Sequence, residues 1–305
     1  MFLKPKRGLN WRSDSDRIMD GIINIYKPAG MTSHDVVNKV RKIVGTKKVG
    51  HTGTLDPDAE GVLPVCINRG TKVADMLTFS DKRYVASFML GVTTDTLDMS
   101  GKIIEKHTVS AKKDEIEKAI LSFVGRITQI PPMYSALKVN GKKLCDLARK
   151  GIEVERKPRE VTVYEIIIND ITENNFTIDV SCSKGTYIRT LGYDIGRKLG
   201  CGAVMTKLIR TQSSVFNVEN SVRLEELNSN NYTDYVIAPD ELFDFEKVIV
   251  KGDNLKKILN GDAVKLDNLT DGNKYKVYDE NGRFLCLSCA ENGILKVEKM
   301  FYVGD

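Results

Sequence analysis

A chain of 305 residues, 41% of them hydrophobic, can bury a sizeable core and is expected to form one large domain and a small one. A charged fraction of 29% with a net charge of +5 makes it mildly basic, which permits a polyanionic partner without establishing one. No apolar run approaches the length of a membrane span, and six scattered cysteines (Cys66, Cys145, Cys182, Cys201, Cys286, Cys289) without a secretory segment speak against a disulfide framework and for a reducing cytoplasm.

In chain order, residues 1–18 are polar and basic, contain the single tryptophan, Trp11, and show no period. They read as a flexible basic extension, or as residues upstream of a natural start at Met19. An apolar, strand-like run over residues 21–26 follows, then the turn Lys27-Pro28-Ala29-Gly30. Thr32 or Ser33 is placed to cap a helix beginning at Asp35, whose apolar positions are Val36, Val40, Ile43 and Val44 and whose other faces carry Lys39, Arg41 and Lys42. With Lys47 and Lys48 next in line, this basic side is suited to a phosphate backbone.

The stretch GHTGTLDPDAEGVLPV, residues 50–65, is too rich in Gly and Pro for a helix or strand interior and reads as a shaped loop running into a buried apolar segment. It holds one histidine and three carboxylates: His51, Asp56, Asp58 and Glu60. Three familiar chemistries fail here. Phosphate-loop spacing starting at Gly45 puts His51 where a lysine is required. A calcium loop starting at Asp56 puts Ile67 where its terminal glutamate belongs. His51 and Cys66 alone do not make a zinc site. What remains is Asp56, held by Pro57 in a loop whose glycines let another backbone come close.

Further on, residues 84–92 read as a strand buried on both faces, and residues 95–101 as a turn rich in Asx-type hydrogen bonds. Ser110 is expected to cap a helix carrying Ile116, Ala119, Ile120, Phe123 and Val124 and ended by Gly125. From Lys138 to Arg159 there are eight basic and three acidic residues, with Tyr134 just upstream, a combination suited to looped RNA. Strands at 161–168 and 176–182 flank a polar turn, and Ile188, Leu191, Ile195 and Leu199 keep helical spacing, which leaves Arg189 on another face. The tail from about residue 247 alternates short strands with turns, Asn281-Gly282 marking a hairpin, and has a short helix at 255–260. Cys286 and Cys289 have the spacing of a metal knuckle but no second pair nearby, so no metal site is expected.

Several strings together resemble the TruB family, the tRNA pseudouridine-55 synthases. They are KPAGMTSHDVV and GHTGTLDPDAEGVLPV, the triplet KRY at 82–84, TDTLDMSG at 94–101, QIPPMYSALKVNGKKLCDLARKG at 129–151, YIRT at 187–190 and LIRTQSS at 208–214. The resemblance covers roughly residues 20–239. Two departures stand out: Cys145 replaces a tyrosine, and Ser214 replaces a glycine.

The resemblance implies an α+β protein with the pseudouridine synthase fold, a mixed, largely antiparallel sheet flanked by helices, over residues 19–240. A small β-rich, PUA-like RNA-binding domain is implied over 246–305. It makes Asp56 the catalytic aspartate, Arg189 its ion-pair partner and Tyr84 the ring that stacks on the target base. His51 becomes a wedge in the RNA loop, Tyr187 a pocket residue or a base, Leu208 the pocket leucine, and Lys27 and Asp98 members of the substrate-binding set. Asp58 and Glu60 are read as solvated loop charges, and the ion pair is expected to favour ionised Asp56. The implied activity is isomerisation of uridine 55 in the T loop of tRNA by a monomer acting in the cytoplasm on the T-arm, with no metal or other cofactor. The rivals are a guide-RNA-dependent synthase, a tRNA-folding chaperone and a glycosidic hydrolase that releases free uracil.

Overall fold

Three fully buried isoleucines, Ile22, Ile23 and Ile25, lie in β1 (Gly21–Lys27), the first element of the computed structural model, which describes residues 19–302. The extension expected over residues 1–18 lies outside the described residues. Next comes α1 (Ser33–Val44), which starts two residues before the expected Asp35 because Thr32 is its cap. The Thr32 hydroxyl accepts from the Asp35 N–H at 3.1 Å, and the Asp35 carboxylate accepts from the Thr32 N–H at 2.9 Å. That leaves the Ser33 hydroxyl free for another task. Gly45, left-handed at φ +76°, ends the helix. Its buried face is Val36, Val37, Val40 and Val44, while Lys39 and Lys42 point to solvent as expected.

Strands β2 (Val49–His51) and β3 (Glu60–Ile67) pair antiparallel on either side of loop 52–59. After α2 (Ala74–Thr78) comes β4 (Lys82–Leu90), in which Lys82, Tyr84, Ala86, Phe88 and Leu90 are buried and the alternate residues half-buried. Burial on both faces was the expectation, and the structure corrects it: only one face is deeply covered. A small hairpin, β5 (Val92–Thr94) and β6 (Ile103–Lys106), carries loop 95–102. Helix α3 (Lys113–Leu121) is capped at Lys112, whose N–H donates to Glu115 at 2.7 Å, and not at Ser110. It stops before Phe123 and Val124, and Gly125, at φ +109°, opens β7 (Gly125–Gln129) in place of ending the helix.

The basic segment forms a short hairpin, β8 (Lys138–Val139) and β9 (Lys142–Lys143), followed by α4 (Leu144–Ala148). Strands β10 (Arg159–Ile171) and β11 (Asn175–Cys182) extend beyond the expected bounds on either side of the polar turn. Helix α5 (Ile188–Lys198) then leads to β12 (Ala203–Ser213), β13 (Phe216–Asn217), β14 (Val222–Arg223) and β15 (Val236–Ile237). A Cβ on Gly192 of α5 would lie 2.1 Å from the Phe88 ring, so the absent side chain is what lets the helix press onto the buried face of β4.

The main sheet runs β14-β1-β3-β12-β4-β11-β10-β7, with β15 on β1, β2 on β3 and β13 on β12. Only the β1–β14 and β3–β12 pairs are parallel, so the sheet is mixed and largely antiparallel, as the resemblance implied. This order sets β3, β12 and β4 side by side, which brings loop 52–59 next to Tyr84.

The C-terminal β-rich domain is a separate sheet built from β16 (Glu246–Ile249), β17 (Val264–Lys265), β18 (Lys274–Tyr278), β19 (Phe284–Glu291) and β20 (Ile294–Met300), ordered β16-β18-β19-β20-β17, with α6 (Gly252–Leu259) beside it. Asn281-Gly282 does turn β18 into β19, helped by the Asp279 carboxylate, which accepts from the Asn281 and Arg283 N–H groups. Cys286 and Cys289 sit an odd number of residues apart on β19 and so face opposite sides of the strand, which rules out joint ligation. All six cysteines are free thiols. The domain is joined to the main sheet by a shared core containing Ile22, Val62, Phe216, Leu287 and Phe301. Arg69 and Lys72 donate to the Phe301 and Met300 carbonyls across the same junction. Among the described residues no helix is long and apolar enough to cross a membrane.

Gly61 is the tightest point between β3 and β12. Its φ is +106°, and a Cβ there would lie 2.2 Å from the Arg210 carbonyl oxygen. Gly61→Ala is therefore expected to destabilise the fold by about 3 kcal/mol or more through left-handed strain and backbone collision. Urea denaturation midpoints measure this, and an unchanged midpoint would contradict the close approach.

Candidate active site

Loop 52–59 is pinned from beneath. The Ser33 hydroxyl donates to the Leu55 carbonyl at 3.1 Å and accepts from the Leu55 N–H at 2.8 Å. Lys27, fully buried, donates from Nζ to the Pro28 and Pro57 carbonyls at 2.8 and 2.9 Å, and the Gly30 N–H reaches Pro57 O at 3.0 Å. Asp56 thus stands between two residues whose backbones cannot drift. Burial pushes the Lys27 ammonium down to about 8 against the pull of Asp58, Asp56 and Glu60. The expectation put Lys27 among the substrate-binding residues; the structure places it under the loop, bonded to backbone carbonyls.

Arg189 occupies the first turn of α5 and is 5% exposed, so the surface position that periodicity offered is wrong. Its Nε lies 3.0 Å from Asp56 Oδ2, and Nη2 donates to Asp56 Oδ1 at 3.2 Å. Nη2 also donates to the Tyr134 carbonyl at 2.8 Å, while Nη1 donates to the Thr96 carbonyl at 2.9 Å and lies 3.5 Å from Asp98 Oδ2. A guanidinium presents its N–H groups in one plane, and here all three of its nitrogens face an oxygen acceptor. The Asp98 carboxylate is itself held by the Thr96 and Ser100 hydroxyls at 2.7 and 2.6 Å and by the Ser100 N–H at 3.1 Å. Gly101 permits this knot, since a Cβ would sit 2.3 Å from Thr96 Oγ1.

Two forces compete on Asp56. Burial raises its carboxyl above the ordinary range, Arg189 lowers it, Asp98 adds to the rise and Lys27 opposes it. Burial wins, so the carboxylate is more basic than in water, the reverse of the expected net effect of the ion pair. Without Asp56 the buried guanidinium of Arg189 would keep only Asp98 as a carboxylate partner, and without Arg189 the partly exposed Asp56 carboxylate would lose its orienting cation.

Tyr84, 9% exposed, stands on the buried face of β4 opposite Arg210 of β12, and burial raises its phenol. Leu208, also on β12, is buried opposite Ala86. Tyr187 is half-buried at the start of α5, where the side-chain amide of buried Gln129 grips it: Gln129 accepts from the Tyr187 N–H at 3.0 Å and donates to the Tyr187 carbonyl at 3.2 Å. Burial raises the Tyr187 phenol too, against the nearby charges of Arg159 and Arg189. His51 is half-buried at the end of β2. Its Nδ1 accepts from the Gly53 N–H at 3.2 Å, and its pKa is lowered by burial and by Arg210 and His34. Asp58 is exposed as expected, but Glu60 is half-buried and accepts from the Tyr26 hydroxyl at 3.0 Å, so it is not a free solvated charge.

The fold therefore gathers Asp56, Arg189 and Asp98 into direct contact, with Tyr84 and Tyr187 in electrostatic reach of Asp56. His51 bonds to Gly53 instead and feels the charges of Arg210 and His34, and Lys27 and Leu208 are buried supports. Sequence reasoning offered Ser33 only as a helix cap and assigned no individual role to Thr96, Gln129 or Arg210. The one available signal was that each lies inside a motif string. A cleft of about 720 Å³ lies next to the site, lined by Leu97, Tyr134, Arg156, Tyr193 and Asp194 but not by Asp56. Burial pushes the Asp194 carboxyl up to about 6.

Two family models match the chain. One, described as TruB family pseudouridylate synthase (N terminal domain), covers residues 41–188, and the other, tRNA pseudouridylate synthase B C-terminal domain, covers 189–245. The site residues fall on both sides of that boundary. The chain is 50% identical over 287 residues to tRNA pseudouridine synthase B of Clostridium novyi (strain NT), covering 92% of this chain and 99% of that one. It is 48% identical over 288 residues to the protein of the same name from Clostridium kluyveri, covering 93% and 100%. Among solved structures it resembles a chain in the crystal structure of a Cbf5-Nop10-Gar1 complex (TM-score 0.69, 26% identity, 96% of this chain and 92% of that one). A chain in an H/ACA RNP bound to a substrate RNA containing 2′-deoxyuridine is similar at TM-score 0.68 and 25% identity, covering 99% and 94%.

The buried ammonium of Lys27 makes a pH test. In the unfolded chain it keeps its proton to about 10.5, but in the folded chain it loses it near 8, so between these values the unfolded state binds more protons and folding stability gains as pH rises. Lys27→Met removes that gain. Urea denaturation of both proteins across this window should show their stability difference shifting in favour of wild type as pH rises; parallel curves would contradict it.

Proposed function

The chain belongs to the TruB family of pseudouridylate synthases, and from that premise we propose that it isomerises uridine 55 in the T loop of tRNA to pseudouridine, with Asp56 as the catalytic residue. The observation that carries the assignment of the site is the grip of Arg189 on Asp56 and Asp98, which joins three distant segments around one carboxylate. In the reaction the N1–C1′ bond breaks, the uracil turns in the pocket, and C5 bonds to C1′. The proton leaves C5, N1 gains one, and the composition is unchanged. Asp56 acts either as nucleophile at C1′ or as the base that removes the C2′ proton. Both roles suit a carboxylate oriented by two hydrogen bonds and made more basic by burial.

The uridine must leave its stack first, at a cost of a few kcal/mol, which stacking on Tyr84 beside Leu208 offsets. Tyr187, with its phenol held neutral by burial, suits lining the pocket better than accepting a proton. His51, neutral because burial disfavours its charged form, offers a flat ring to fill the space left by displaced bases. Lys27 acts from below by holding the loop, and Asp98 by orienting Arg189. The exposed Lys39, Lys42, Lys47 and Lys48, with the basic segment around β8 and β9, meet T-arm phosphates, and the C-terminal domain serves as a PUA-like RNA-binding module. On this reading the protein works as a monomer in the cytoplasm, on bare tRNA and without a cofactor.

A second reading, a subunit of an RNA-guided particle, draws on the likeness to chains of the Cbf5-Nop10-Gar1 and H/ACA complexes, though at 26% and 25% identity against 50% for the bacterial relative. Carbodiimide mapping of an unmodified tRNA transcript treated with the purified chain separates the two: a modified T-loop uridine supports the stand-alone enzyme, and modification only with an added guide supports the particle.

Asp56→Asn is expected to lower the single-turnover rate on the order of 10⁴-fold or more while T-arm affinity stays within about threefold. Substantial pseudouridine from this variant would remove Asp56 from the chemistry. Arg189→Lys keeps the charge but loses the fork, and a loss of about 10²-fold in the same assay is expected. A normal rate would refute the orienting role, and free uracil among the products would replace isomerisation by hydrolysis.

A further inference from the structure

Arg210 is the largest fully buried side chain among the described residues, at 1% exposure, and its guanidinium has no carboxylate partner among them. Nε donates to the Val62 carbonyl at 2.7 Å, Nη2 donates to the Gly53 carbonyl at 3.1 Å, and Tyr84 stands directly across the strand pair, where its phenol favours the charge of the guanidinium. Burying a charge against neutral oxygens alone costs several kcal/mol, and an apolar side chain would fill a strand position between β3 and β4 more cheaply. Packing therefore does not explain this residue, and what it touches does. Gly53 lies three residues before Asp56 in the loop, Val62 is in the strand that leaves the loop, and Tyr84 is the direct cross-strand partner of Arg210. Two features of the backbone are arranged around it. Gly61 lacks the Cβ that would strike the Arg210 backbone, and the register of β12 against β4 shifts between Arg210 and Gln212, a bulge that re-aims a side chain.

We infer that Arg210 is a positioning residue for the reaction: its guanidinium bolts the Asp56 loop to the Tyr84 ring and so sets the spacing between the carboxylate and the stacked uracil. The inference rests on the roles given above to Asp56 and Tyr84. It differs from them in that Arg210 touches no reacting atom and acts through its neighbours.

The test compares single-turnover rates and T-arm dissociation constants of the full-length wild type, Arg210→Lys, Arg210→Met, Tyr84→Phe and the Tyr84→Phe/Arg210→Met double variant, with thermal melting as the measure of folding. Arg210→Met is expected to slow the reaction about 10²-fold with affinity within about threefold, and Arg210→Lys to recover roughly tenfold of that loss, because an ammonium still reaches a carbonyl. In the Tyr84→Phe background the loss from Arg210→Met should shrink to a few-fold, since the phenol hydroxyl is already gone. A folded Arg210→Met protein with the wild-type rate overturns the inference, as does an equal loss in both backgrounds. If Arg210→Met does not fold, Arg210→Lys decides: a stable protein about tenfold slower than wild type supports the role, and one at the wild-type rate overturns it. A wild-type protein that forms no pseudouridine refutes the functional reading itself and takes this inference with it, whereas an active wild type with an equally active Arg210→Met protein sinks the inference alone.

Discussion

The interaction on which the site depends is the fork of Arg189 against Asp56, closed on its other edge by Asp98. An isolated carboxylate in this position would take up a proton, and an isolated guanidinium would not be tolerated in the core, so each charge makes the other admissible. Because all three nitrogens of the Arg189 guanidinium are engaged, by Asp56, Thr96 and Tyr134, its plane is fixed and the Asp56 carboxylate inherits that orientation. That requirement reaches far along the chain. Loop 52–59, loop 95–102, the segment at Tyr134 and the first turn of α5 must all arrive together, and the adjacency of β3, β12 and β4 is what lets them.

Around this pair the interior holds more positive than negative charge. Lys27, Lys82 and Arg210 are all buried, and all are satisfied mainly by backbone carbonyls: Pro28 and Pro57 for the first, Thr78 and Ser80 for the second, Gly53 and Val62 for the third. Burial pushes both lysines down to about 8, a sign that carbonyl dipoles compensate them only in part. Of the three, Lys27 acts on Asp56 and opposes its protonation, and on the proposed reaction such positive charge suits a phosphate-bearing substrate and a uracil leaving with the electrons of its broken bond.

How much of this was legible in the sequence depended on whether the cause was local. Gly and Pro density marks residues 50–65 as a shaped loop, though it was the resemblance that picked Asp56 from the three carboxylates there, and the capping of α1 could be read because Thr32 and Asp35 satisfy each other within one turn. Arg189 could not, since helical period identifies the face turned to the core and is blind to a loop laid over another face; here the Thr96 and Tyr134 backbones cover it. The same blindness hid Ser33 and Gln129, whose partners lie 22 and 58 residues away. Lys27 was placed in the substrate-binding set by the resemblance, and its position under the loop is decided by Pro57, which follows thirty residues later. Ser110 failed as a cap for a local reason: the carboxylate of Glu115 lies three residues beyond Lys112, within reach of its N–H.

Ser214 shows how a left-handed backbone position is held near the site. In the motif string it stands where a glycine is usual, and its φ of +56° lies in the left-handed region that glycine enters freely and serine at a cost of about 1–2 kcal/mol. The turn nevertheless keeps that conformation, because the Ser214 N–H donates to the Asp81 carbonyl at 3.1 Å and its own carbonyl accepts from Gln212 Nε2 at 3.0 Å. The first bond ties the end of β12 to the start of β4, where Lys82 and then Tyr84 follow within three residues of Asp81, and the second stays within the turn. A relaxed serine would have to release them and let β12 slide against β4, and with it Arg210 against Tyr84. The strain at Ser214 is thus the local expression of a register that the Asp56 loop, through Gly61 and Arg210, also requires.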